Sequence, residues 1–145
     1  MAKVRFCKGD EVKLVYAKDR SGSSRMFHTG DDGEMQLFEV NLQPNLPVES
    51  HAHKESEIIF IMEGSMSFGA QVLRPGDSVQ IDGMTLYAFK SGPEGVRFIN
   101  FRARGDRTFY TRDELAEYNK LDPAAQAEMT ERLIELRMKE FGYRD

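Results

Sequence analysis

The chain has 145 residues, with 20 basic and 24 acidic side chains and a formal charge of -4, which argues against a general binder of nucleic acid or anionic membranes. A single cysteine, Cys7, excludes an internal disulfide framework. The start shows no leader-like apolar region and no 18-residue apolar span occurs, so the expectation is one soluble cytoplasmic domain, long enough to bury a core. Short β-like runs then follow one another to about residue 103. Val12 to Tyr16 reads as a first strand, Met26 to His28 as a short one and Met35 to Leu42 as a longer one. Two prolines make 41–47 an irregular connection. A strand follows from His51 and continues through Ile58-Ile59-Phe60-Ile61-Met62 to a turn at Gly64. Ser65 to Phe68 and Gln71 to Leu73 form a hairpin about Gly69-Ala70, where glycine in first place suits a type II′ turn. Ser78 to Ile81, Leu86 to Lys90 and Val96 to Ala103 complete the set, separated by glycine-containing turns. Many short strands at regular spacing indicate a sandwich or barrel.

Beyond residue 108 the pattern is helical. Thr111-Arg112-Asp113-Glu114 is a capping box. Asp122 with Pro123 opens a second helix, and Gly142 is its expected stop. At 100° per residue, Ala125, Met129, Leu133 and Leu136 fall on one side of that helix, with Ala127, Ile134, Met138 and Phe141 nearly opposite. One barrel covers only one stripe, so a homodimer using this helix is expected, the alternative being that the first small helix covers the second stripe. The domain is read as a β unit over 1–108 and a helical extension over 109–145, packed on the barrel or on the dimer partner.

The chemistry concentrates in residues 51–64, HAHKESEIIFIMEG. His51, His53 and Glu57 hold two of the three histidines and share odd parity, so an unbroken strand points all three one way. Two imidazoles and a carboxylate suit iron, manganese, zinc or nickel. The same residues also read as an ordinary solvated strand face. Glu55 is in phase and could replace Glu57 if the strand bulges. Glu49 and Lys54 are expected to face solvent. His28, on an early strand, is a distant further candidate.

The spacing His-x-His, three residues, Glu, six residues, Gly over 51–64 resembles the first motif of the cupin superfamily, and Gly76-Asp77 resembles the start of its second. Asn45 stands at the first motif's usual glycine. Asp82, Met84, Tyr87 and Ser91 stand at the second motif's proline, glycine, histidine and asparagine. The resemblance covers roughly 34–103 and implies a mainly β, jelly-roll barrel. It implies a metal held by His51, His53 and Glu57, with Tyr87 where a third histidine usually sits. Tyr87 is then a ligand, an acid or base, or a wall residue, and Glu57 a ligand and possible base. The function implied is a small-molecule enzyme using a mononuclear divalent metal, dioxygenase-like or a Lewis-acid isomerase or lyase. The alternative is a non-catalytic small-ligand-binding cupin with a degenerate site. Met35, Leu37, Phe60, Met62, Met66, Phe68, Phe89, Phe98 and Phe101 are candidate lining residues, suiting an apolar or aromatic ligand with an oxygen donor. Asn100 is a polar group near the mouth. The basic run Arg102, Arg104 and Arg107 is expected to pair with Asp113 and Glu114.

Overall fold

The computed structural model describes residues 3–141. Among the described residues nine strands make one curled antiparallel sheet: β1 (Val15–Tyr16), β2 (Gly22–Thr29), β3 (Gln36–Leu42), β4 (Pro47–Ala52), β5 (Glu57–Phe68), β6 (Gln71–Leu73), β7 (Ser78–Ile81), β8 (Tyr87–Arg102) and β9 (Tyr110–Thr111). Two helices follow, α1 (Arg112–Tyr118) and α2 (Pro123–Phe141). The two strands expected at 86–90 and 96–103 are the ends of β8. Its first part pairs with β4, and its second lies between β3 and β5. That makes β8 the seam of the barrel, and its inward side chains decide what the interior contains.

Several local expectations hold for physical reasons that can be seen. Phe68 pairs with Gln71 across the Gly69-Ala70 turn. Gly69 has φ +57° and Ala70 does not share a positive φ, which is the signature of a II′ rather than a I′ turn. The turn expected at Gly64 is instead an irregularity within the continuous β5: Gly64 has φ +72°, and a Cβ there would lie 2.1 Å from the carbonyl oxygen of Gly95, so only glycine lets β5 pass this close to β8. At two motif glycine positions filled by other residues the backbone keeps the glycine conformation: Asn45 has φ +57° and Met84 has φ +62°. A positive φ costs about 1–2 kcal/mol for a side chain such as Met84's.

The core splits in two. Ile59, Ile61, Met66, Ile81, Phe89, Val96 and Phe98 fill the barrel. Ala52, Tyr110, Leu115, Met129 and Leu133 join the barrel's end to the helices, with Met84 and Leu86 packed against them. Of the expected lining residues, Met66, Phe89 and Phe98 are buried inside. Phe60 and Met62 are exposed on the outer face and Met35 lies in the open. The reason is parity: Glu57, Ile59 and Ile61 point inward, so the even residues between them point out, and the irregularity after Ile61 lets Met66 turn inward further on.

Thr111 caps α1. Its hydroxyl accepts from the Glu114 backbone N–H, and the Glu114 carboxylate accepts from the Thr111 N–H at 2.9 Å. Thr111→Ala should lower stability by about 1 kcal/mol, readable as a small fall in thermal midpoint by circular dichroism. Asp122 caps α2 through the Ala125 N–H at 2.9 Å, as the sequence indicates. The α2 stripes need correction. Met129 and Leu133 are buried, but Leu136 is exposed, and the next buried position on their face is Arg137. Met138 is exposed, while the Phe141 side chain and Gly142 lie outside the described residues. No described helix is long and apolar enough to cross a membrane.

Candidate functional site

His51, His53 and Glu57 do not lie on one strand. His51 is in β4, His53 begins a turn over 53–56, and Glu57 opens β5. The turn breaks the shared parity, and two strands rather than one bring the groups together. The turn is held by Asp106. Its carboxylate accepts from the Glu55 N–H at 2.8 Å and from the N–H and hydroxyl of Thr108, at 2.8 and 2.6 Å. The Thr108 hydroxyl in turn accepts from the Lys54 N–H at 2.8 Å. Asp106 and Thr108 are both buried.

Each imidazole is oriented by a backbone carbonyl. His51 Nδ1 lies 2.7 Å from the Glu49 oxygen and His53 Nδ1 lies 2.5 Å from that of Thr108. A carbonyl can only accept, so Nδ1 carries the proton and each Nε2 presents a lone pair. The rings meet edge to face at 4.9 Å. Across β4, His51 sits opposite Tyr87, with ring centres 4.4 Å apart. Phe109 stacks on its other side at 4.5 Å, 5° from parallel. Burial pushes the His51 imidazole down to about 4, and burial followed by the Arg102 charge lowers His53. Both are neutral near pH 7.

Glu57 is 2% exposed, and both of its oxygens are taken. Oε1 accepts from the Tyr87 hydroxyl. Oε2 accepts from Asn100 Nδ2 at 2.8 Å and from the Arg102 guanidinium at 2.7 Å. Burial raises the Glu57 carboxyl, but Arg102, His53, Tyr87 and Asn100 together outweigh it and hold the group below the ordinary carboxylate range. Burial and the adjacent Glu57 charge push the Tyr87 phenol up. Tyr87 is thus a hydrogen-bond donor to Glu57, and it also lines a cavity of about 320 Å³ with Phe68, Val79, Ile81 and Thr85. A larger groove of about 820 Å³ on the outer face is lined by none of these site residues.

The donor set does not fit a three-ligand metal centre. The two imidazoles are suitable, with neutral rings and open lone pairs. The carboxylate is engaged on both oxygens, and one of its partners is already a cation, Arg102. Among the described residues no three His, Cys, Asp or Glu side chains stand close enough to hold one ion. Glu55 lies in the turn and gives its N–H to Asp106. His28 sits on β2 opposite Leu37 and takes no part in the ring contacts described. Glu49 and Lys54 face solvent as expected.

The basic run behaves differently from its expectation. Arg102 pairs with Glu57, Arg107 reaches Asp31 at 3.5 Å, and Glu114 is taken by Arg137 of α2. Arg102 points inward because it shares parity with Phe98 and Asn100, a signal present in the alternation of β8. Asp106, Thr108 and Phe109 carry no such signal, because they act from a loop.

The sequence matches no protein-family model and no curated relative. Solved structures do resemble the fold. A cupin from Ralstonia eutropha aligns with TM-score 0.67 at 12% identity, covering 98% of this chain and 91% of its own. The polyketide cyclase RemF from Streptomyces resistomycificus aligns with TM-score 0.60 at 20% identity, covering 88% and 99%. A putative acetylacetone dioxygenase from Methylibium petroleiphilum aligns with TM-score 0.63 at 13% identity, covering 79% and 85%.

Proposed function

Because this chain has the cupin fold, we propose that it is a small-molecule-binding cupin whose interior site works without a resident metal ion. The observation that carries this reading is the commitment of Glu57 to Tyr87, Asn100 and Arg102. A second argument separates binding from proton-transfer catalysis. General acid–base work favours groups that titrate near the working pH. Here the imidazoles and the carboxylate are pushed down and the phenol up, all away from neutrality. The site keeps fixed charges and fixed donors, which suits recognition.

The ligand this chemistry favours has an apolar or aromatic body, to lie against Phe68 and Tyr87, and hydroxyl or amine donors. Those donors would find acceptors in the two Nε2 lone pairs, which have no hydrogen-bond partner among the described residues. The enzyme reading is favoured by one observation, the anchoring of both Nδ1 atoms, since such anchoring also prepares histidines for a metal.

Elemental analysis of protein purified without a histidine tag decides between them. Metal well below one equivalent, together with a thermal shift on adding catechols or aromatic amines that His51→Ala abolishes, is the expected result. Near one equivalent of iron, manganese, nickel or zinc, lost in His51→Ala and His53→Ala, would overturn the proposal in favour of a metal-dependent enzyme.

A further inference from the structure

Resting on that metal-free reading, we infer that the Arg102 guanidinium is the resident cation of this barrel, and that its pairing with Glu57 is what prevents His51, His53 and Glu57 from closing on a metal ion. Three features of the geometry carry this.

The first is that Arg102 is built in. One guanidinium nitrogen donates to Gln36 Oε1 at 3.1 Å and to the Asp106 carbonyl at 3.0 Å, and another donates to Glu57 at 2.7 Å. The guanidinium lies 5.4 Å from the centre of the Phe38 ring, a cation–π distance. Its anchors come from β3, β5 and the 103–109 loop, so the charge is fixed before any ligand arrives. The side chain is 6% exposed, and the carboxylate it meets is 1% exposed.

The second is charge. Glu57 and Arg102 together are neutral, so a divalent ion placed beside them would carry its full charge next to an existing cation in a poorly solvated interior, where Coulomb repulsion is weakly screened. Without Arg102, the same position holds one negative charge and two neutral imidazoles, the donor set that the sequence alone suggests. The third is that Arg102 Nε and Asn100 Oδ1 are the two buried side-chain atoms left without partners among the described residues. The fold therefore leaves one donor of the guanidinium unsatisfied.

The test is titration of the folded protein with Co(II), read by calorimetry and by the visible absorption that cobalt gains on leaving octahedral water. The wild type should show no saturable site. Arg102→Gln should bind Co(II) at least about 10-fold more tightly, the scale of change that partners of metal ligands produce, and the gain should vanish in Arg102→Gln/His53→Ala. Gln36→Met, which loosens the guanidinium but leaves its charge, guards against a variant that fails to fold and should gain in the same direction by less. If folded Arg102→Gln binds Co(II) no better than the wild type, or Gln36→Met shows no gain where Arg102→Gln cannot be made, Arg102 is not what excludes the ion, even with a metal-free wild type. A wild type that takes up one equivalent instead overturns the metal-free reading itself.

Discussion

Glu57→Leu is expected to destabilise the protein by about 3–5 kcal/mol, because it strands the Arg102 charge in the interior rather than simply removing a contact. Tyr87 and Asn100 would lose their acceptor at the same time. For a chain of this size the thermal midpoint should fall by roughly 10 °C. The diagnostic comparison is the double variant Glu57→Leu/Arg102→Met, which removes both charges. A buried pair gains little over apolar groups of similar volume, so the double variant should recover much of the loss. Urea denaturation of the wild type and the three variants measures this coupling. If the single change costs under about 1 kcal/mol, the pair is solvated in a way incompatible with 2% exposure of Glu57.

Acid should weaken the fold through the buried His51 imidazole. The His51 imidazole titrates at about 4 in the folded chain, against an ordinary value near 6.5. Between those values the unfolded chain binds a proton that the folded chain refuses, so stability is complete above about pH 6.5 and falls as the pH drops towards 4. His51 alone accounts for about 3 kcal/mol across that window, and His53 acts in the same direction. Glu57 has a depressed value, so its contribution is present above the ordinary carboxylate range and is lost only at lower pH. The measurement is the urea midpoint at pH 8, 6.5, 5.5 and 4.5. It should decline steadily in the wild type and less steeply in His51→Asn. A flat wild-type profile would mean that His51 is hydrated in the folded chain.

The fold was legible because turn chemistry and strand spacing are local. Gly69-Ala70 and the Thr111 capping box each specify their own few residues and appear where expected, whereas the turn expected at Gly64 is a positive-φ residue inside a continuous β5. Strand facing was less legible. The run Ile58-Ile59-Phe60-Ile61-Met62 is apolar on both faces, so it carries no alternation from which to tell Ile59 inside from Phe60 outside. The site was half legible. His51 and His53 announce themselves by rarity and spacing, and Tyr87 by its place in the second motif. The 53–56 turn breaks the parity that His51 and His53 share with Glu57 in the sequence, although two strands still bring the groups together. What altered the chemistry was Arg102, expected to pair with Asp113 and Glu114. A guanidinium 66 residues from Gln36 and 45 from Glu57 makes contacts that only the curled sheet creates. Asn100, two residues before it and equally buried, was the available clue.

The ring of Phe109 has His51 on one side, and the Arg137 guanidinium lies 5.4 Å from its centre. Arg137 belongs to the last turns of α2 and is also paired with Glu114, which caps α1. The last described turns of α2 are therefore joined to an imidazole of the site through a single aromatic ring. If a ligand beside that imidazole shifts the ring, it also changes how firmly this end of α2 is seated, and by thermodynamic reciprocity the converse holds.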